Sequence, residues 1–180
     1  MIDEQLLVQQ LKNPETLEIA FRKLMSLYKE RLYWHIRKIV LSHDDSDDVL
    51  QNTFIKVFKN IHTFNEKSKL YSWMYRIATN EAITFINKKA KTQNVDLSEL
   101  QYKITGNLSN DPYYNGDIIQ QKLQKAIVTL PQKQQLVFNM KYFDDMKYEE
   151  MSEVLETSVG ALKASYHHAV KKIESYLKSN

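Results

Sequence analysis

The segment LSHDDSDDVLQNTFIKVF gathers four carboxylates, Asp44, Asp45, Asp47 and Asp48, at the mouth of an apolar helical stripe. Three kinds of chemistry use such a cluster. Carboxylates in a first turn offset the positive end of a helix. Converging carboxylates hold a metal, but an Asp-rich calcium loop also needs a turning Gly and a closing Glu, and this segment has neither. A fixed acidic face suits a basic protein surface. On a helix Asp47, Asp48 and Gln51 share one face with Asn52 beside them, while Val49, Phe54 and Phe58 hold the helix to a core. The spacing disfavours a metal and leaves capping and a protein contact open.

A second chemistry-bearing stretch is HTFNEKSKLYSWMYRIATNEAITFINKKAK, where basic and aromatic residues interleave. Stripe residues such as Trp73 fill the core by default. The polar loop from His62 to Lys69 differs, because Lys67 and Lys69, with Arg76 beyond it, suit a phosphate backbone, and nearby aromatic or amide groups suit unstacked bases. Asn80, Thr84 and Asn87 recur along one side of the following helix, which ends in Lys88-Lys89. A plain solvated helix face is the competing explanation.

A third stretch, SVGALKASYHHAVKKIESYL, carries Ser158, Ala161, Lys163, Ser165, His167, His168, Lys171 and Lys172. Adjacent histidines lie about 100° apart on a helix and cannot face one ligand together. With no carboxylate at a matching spacing they make a poor zinc site, so phosphate contact by the lysines is the better chemistry. Gly-rich phosphate loops, HExxH and GxSxG are absent, and so is cysteine, which excludes disulfides, thiolate metal sites and cysteine nucleophiles. No enzyme, cofactor or metal is expected.

The elements that must position these residues are helical. Three Gly and three Pro in 180 residues leave few breakers. A short helix near Glu4–Leu11 is followed by a long stripe through Ala20, Leu24, Leu32, Ile36 and Ile39. Further stripes run through Val49–Ile61 and Leu70–Ile86, closing a bundle over residues 1–90. Periodicity fails from Lys91 to about Tyr114, predicting a polar, flexible linker over 91–116. Residues 117–180 resume with helices about Ile118–Leu130 and Leu136–Phe143. The short helix MKYEEMSEVL, the turn ETS and a long helix then make a helix-turn-helix pattern, whose second helix reads DNA through its N-terminal part near Val159–Ser165. Charge follows this division: residues 61–91 carry six bases against two acids, residues 92–120 one against four, and residues 121–180 nine against seven. No apolar run approaches the roughly 18 to 20 residues of a membrane span, and the N-terminus is polar, so no membrane insertion and a cytoplasmic location are expected.

These residues carry a resemblance. DDSDDVLQNTFIKVFKNIHTF with KLYSWMYRIATNEAITFINKKAK resembles conserved region 2 of bacterial sigma-70-type factors. LPQKQQLVFNMKYFDDMKYEEMSEVLETSVGALKASYHHAVKKIESYL resembles region 4. Two blocks in that order, with little between them, match the small extracytoplasmic-function group. The resemblance covers about residues 15–90 and 117–178. It implies an all-α protein of two small helical domains that binds core RNA polymerase and directs promoter recognition as a dissociable subunit.

Carried over by position, Asp47, Asp48, Gln51 and Asn52 become the polymerase contact, so the acids serve a partner and cap as a side benefit. Phe64, Lys67, Lys69, Arg76, Asn80, Thr84, Asn87 and Lys88 become the surface that opens the −10 element. Ser158, Ala161, Lys163, Ser165, His167 and Lys171 become the −35 reader. The family also implies an anti-sigma factor, often membrane-anchored. Where the family favours an arginine-rich series after Gly160, this chain has Ala161-Leu162-Lys163-Ala164-Ser165 and two histidines. Fewer arginines mean fewer bidentate guanine contacts. A free-standing helix-turn-helix regulator and a polymerase-binding adaptor without DNA recognition are the rival readings. The first needs a dimer helix, which the sequence does not show, and the second would keep the acidic face alone.

Overall fold

Long stretches without Gly or Pro become helices, and the breaks fall where capping chemistry allows them. The computed structural model describes residues 4–106 and 118–180. Its helices are α1 (Glu4–Lys12), α2 (Leu17–Val40), α3 (His43–Asn60), α4 (Leu70–Thr92), α5 (Leu97–Gly106), α6 (Ile118–Val128), α7 (Gln132–Tyr142), α8 (Tyr148–Leu155) and α9 (Val159–Ser179), with a 3-10 turn at Ile61–Thr63. The expected all-α class is what forms. Contacts divide the chain into two compact units, Met1–Ile83 and Thr84–Asn180, so α4 contributes to both.

In the first unit α2 ends at Leu41, a left-handed residue (φ 67°) whose N–H donates to the Arg37 carbonyl. One residue later Ser42 caps α3, its Oγ accepting the Asp45 N–H at 3.5 Å. The helix α3 therefore begins at His43. Asp44 and Asp45 occupy the first turn, where the dipole favours them. Asp47 and Asp48 lie beyond it, so capping does not explain them. The core under these helices includes Leu24, Leu32, Ile36, Val49, Leu50, Val57, Met74 and Ala78, all nearly fully buried. One polar pair sits inside it, His35 Nε2 against Thr79 Oγ1 at 2.8 Å, which joins α2 to α4. A Lys56–Glu81 ion pair joins α3 to α4.

The second unit holds a correction. Of the span read as a flexible linker, residues 97–106 form α5; residues 107–116 lie outside the described part. Ile86 and Ala90 at the end of α4 bury with Leu100, and Val95, Leu97 and Ile104 pack against them. The physical reason is a short 97/100/104 apolar stripe, hidden among polar neighbours. Farther on, Ala126, Ile127, Leu130, Phe138, Ala169 and Ile173 form the core that fixes α6, α7 and α9. At Glu156 the backbone turns left-handed (φ 50°, ψ 40°), ending α8, and Ser158 then caps α9. That is the expected helix-turn-helix corner.

Candidate docking groove and nucleic-acid surfaces

Along α3 the exposed positions 47, 48, 51, 52, 55, 58 and 59 make one continuous face. Between that face and α2 runs an open groove of about 610 Å³. Its apolar lining is Phe21, Met25, Leu50, Phe54, Ile55 and Phe58, and its polar lining is Lys29, Asp47, Asp48, Gln51 and Lys59. The aromatic floor is locked edge to face, with Phe21 at 5.0 Å from Phe58 and 6.2 Å from Phe54. Phe58 was expected to hold α3 to the core, yet it is 43% exposed and belongs to the groove, as does Ile55 at 44%. Sequence reasoning missed this apolar floor. Its signal was the surplus of apolar residues on α3 over what one buried stripe needs.

Asp47, Asp48 and Gln51 therefore come together at the groove, whereas Asn52 is exposed beside it without lining it. On the α2 side, the Tyr33 hydroxyl meets His43 Nδ1 at 2.6 Å, and His43 Nε2 lies 3.7 Å from Asp47 Oδ2. Asp47 and Asp48 facing Lys29 and Lys59 at the edge, over a greasy floor, suit a protein segment that brings both charged and apolar side chains. Among the described residues no three His, Asp or Glu side chains are arranged to hold a metal.

The loop before α4 is shaped from far away in sequence. Glu66, left-handed at φ 60°, pairs with Lys12 at 2.8 Å. Glu4 Oε1 accepts the Leu70 N–H at 3.0 Å, satisfying an otherwise orphaned donor at the start of α4. Phe64 is corrected here. It is 3% exposed and packs its ring 5.3 Å from Trp73, with Lys12 above it, because α1 covers it. It anchors the loop and offers no ring to a base. Lys67 and Lys69 remain exposed, and Lys67 N–H donates to Asn65 Oδ1 at 3.2 Å. On α4, half-buried Arg76 and exposed Asn80, Thr84, Asn87 and Lys88 recur at spacings of four and three along one stripe.

Against the core of the second unit, α9 buries Leu162, Ala169 and Ile173 and turns Ala161, Lys163, His167 and Lys171 outward; Ser165 is half-buried. Ser158 spends its Oγ on the Ala161 N–H at 3.3 Å, so its first role is the cap of α9. Two lysines converge on one ring that sequence reasoning passed over. Lys163 Nζ lies 5.7 Å and Lys141 Nζ 5.5 Å from the centroid of Tyr148, the first residue of α8. Lys141 is also held by the Met146 carbonyl at 3.1 Å and by Asp145. Thus one ring gathers a cation from α7 and a cation from α9. The ring orders the lysines that would otherwise sample many rotamers. Beside it Tyr166 has its hydroxyl pKa raised, by burial first and by Tyr148 and Tyr142 second.

Comparison with known proteins gives these surfaces a family. The Sigma-70 region 2 model matches residues 24–92, which include α4 and all of the groove lining but Phe21, and the Sigma-70, region 4 model matches residues 120–173, which include the helix-turn-helix. An ECF RNA polymerase sigma factor of Bacillus subtilis, SigW, is 27% identical over 168 residues, covering 88% of this chain and 89% of its own. The ECF RNA polymerase sigma-E factor of Haemophilus influenzae is 24% identical, covering 97% of this chain and 95% of its own. Among solved structures, CnrH in complex with the cytosolic domain of CnrY aligns with a TM-score of 0.72 at 18% identity over 98% of both chains. The sigma factor RpoE of Bartonella quintana, solved with the anti-sigma factor NepR, aligns at 0.68 and 19% identity, over 88% of this chain and 96% of that one. With both region models matched in order, on helices that expose the surfaces described, the chain belongs to the extracytoplasmic-function group of the sigma-70 family of RNA polymerase sigma factors.

Proposed function

We propose that this sigma factor docks on core RNA polymerase through the α2–α3 groove and reads promoter DNA with α4 and α9. The observation that carries the docking is the pairing of exposed Asp47 and Asp48, with the Gln51 amide beside them, with an apolar floor that includes exposed Ile55 and Phe58. Capping is served by Ser42, Asp44 and Asp45, so the next turn's acids are left for a basic partner surface. Residues 1–90 act as region 2, 91–116 as the connection and 117–180 as region 4.

On the −10 side, Lys67, Lys69 and Lys88 hold phosphates while Arg76, Asn80, Thr84 and Asn87 meet the strand that leaves the duplex. Opening is favoured when an unstacked base finds a pocket, since unstacking costs a few kcal/mol. On the −35 side, Ala161, Lys163, Ser165, His167 and Lys171 enter the major groove, and Lys141 with Lys147 holds the backbone flanking it. Bond formation belongs to the polymerase; this chain supplies binding and strand opening.

An anti-sigma factor is the regulatory partner proposed, as for the Bartonella relative solved with NepR. Among the described residues no helix is long and apolar enough to cross a membrane, and a cytoplasmic location fits a polymerase subunit. Run-off transcription with purified core polymerase on genomic DNA tests the reading. Discrete transcripts should require this chain. Tight promoter binding without polymerase, and no new transcripts with it, would replace the sigma reading by a free-standing regulator.

A further inference from the structure

We propose that α1 is part of the promoter-opening machinery: it holds the loop 64–70 in the shape that presents Lys67 and Lys69, which makes Glu4 and Lys12 positioning residues for strand opening. This rests on the polymerase reading above. The residues matched to the region 2 model begin at 24, beyond α1, so that match assigns α1 no part.

The helix grips the loop at three points. Its buried face, Leu7, Val8 and Leu11, fixes it to the first unit, and the Thr16 hydroxyl fastens its far end by donating to the Gln10 carbonyl at 2.8 Å. From that base Lys12 Nζ stands 5.9 Å from the centroid of the buried Phe64 ring and 2.8 Å from Glu66 Oε1. At the other end of α1, Glu4 Oε1 accepts the Leu70 N–H at 3.0 Å. Exposed Lys67 and Lys69 stand between the second grip and the third.

This loop has a particular need of such grips. Residues 64–69 form neither helix nor strand, so regular backbone bonding does not set their shape. Glu66 is left-handed at φ 60°, a conformation disfavoured for a residue with a Cβ. The Glu4 carboxylate also faces the positive end of α4. A loop already ordered when DNA arrives gives up less conformational freedom on binding, so more of the contact energy goes into opening the strands. Among the described residues of α1 none lines the α2–α3 groove, so the brace acts on opening and not on docking.

Holoenzyme carrying the full chain tests this on a promoter mapped by run-off transcription. Fluorescence of 2-aminopurine in the −10 element reports strand opening, and anisotropy reports affinity for core polymerase. In Glu4→Ala/Lys12→Ala the opening equilibrium should fall about tenfold, through loss of one charge-assisted bond and one exposed ion pair. The Kd for core polymerase should stay within about twofold. Two rescues separate positioning from bulk stability. Glu4→Gln keeps an Oε1 that accepts the Leu70 N–H and should open strands like the parent. Lys12→Glu should lower opening, and adding Glu66→Lys should restore it. A merely structural α1 would instead lower opening and core affinity together, with no rescue by the charge swap, and that result would overturn the brace. Unchanged opening in Glu4→Ala/Lys12→Ala would overturn it as well, while leaving the polymerase reading intact. If the parent itself neither binds core polymerase nor opens a promoter, the polymerase reading fails and the brace with it.

Discussion

If the groove is the docking site, two adjacent turns of α3 carry acids with different jobs, and substitution can separate them. Asp44 lies in the first turn, while Asp47 and Asp48 lie one turn on and line the groove. Asp44→Asn removes a charge from the helix N-terminus and should cost about 0.3–1 kcal/mol of stability. It should leave polymerase affinity unchanged, because Asp44 does not line the groove. The Asp47→Asn/Asp48→Asn pair should do the reverse. Both side chains are exposed, and Asp47 pairs with His43 at a loose 3.7 Å, so the stability change should stay within about 0.5 kcal/mol. In the docked state the groove floor dries, and truncating one side of such a charge pair costs about 2–5 kcal/mol when buried but under about 1 kcal/mol at a rim. Between those limits, a loss near 3 kcal/mol for the pair corresponds to a Kd raised roughly 150-fold. Fluorescence anisotropy of labelled chain titrated with core polymerase gives the Kd, and calorimetry gives the stability. The parent Kd should also rise with added salt more steeply than the variant's. If Asp44→Asn weakens docking while the double variant only loses Tm, the assignment of capping and docking acids is wrong.

The cation cluster around Tyr148 predicts a sequence-independent effect. Tyr148→Ala should loosen Lys141, the backbone-holding lysine, and weaken promoter binding by the holoenzyme on matched and mismatched −35 elements alike through that contact, whereas Tyr148→Phe, which keeps the ring, should not. Lys141→Gln should lower the slope of log affinity against log salt by about 0.9, one phosphate contact. A second expectation concerns alkaline pH. The Tyr28 hydroxyl is held above its ordinary value by burial first and by Glu4 second, with Arg31 opposing. Its folded pKa is raised, so its contribution is intact below pH 10 and is lost as pH rises through the folded value. Circular dichroism between pH 8 and 12 should show the parent losing stability above pH 10 and Tyr28→Phe losing less; equal loss in both would remove Tyr28 from the account.

How much of this was legible in sequence depends on the range over which each feature is determined. Every helix but α5, the acidic face and the helix-turn-helix corner follow from local periodicity, while the caps Ser42 and Ser158 were passed over although their residue type suits the role. The groove floor was half legible: Ile55 and Phe58 are apolar, but only α2 arriving alongside shows that they line an opening and not a core. Phe64 misled because an aromatic in a polar loop reads as exposed; it is buried by α1, whose Lys12 lies 52 positions earlier in the chain. Glu4 satisfying Leu70 across 66 residues and Gln101 pairing with Gln135 across 34 have no periodic trace at all. Each is a polar group whose partner is set by tertiary proximity, and a polar residue without a visible partner reads as solvated surface. The consequence is systematic. Sequence patterning finds what buries apolar area, and it passes over the polar contacts that hold one element against another. In this chain those contacts shape the loop before α4 and tie down α5, so the residues that position the candidate surfaces are the ones patterning sees least.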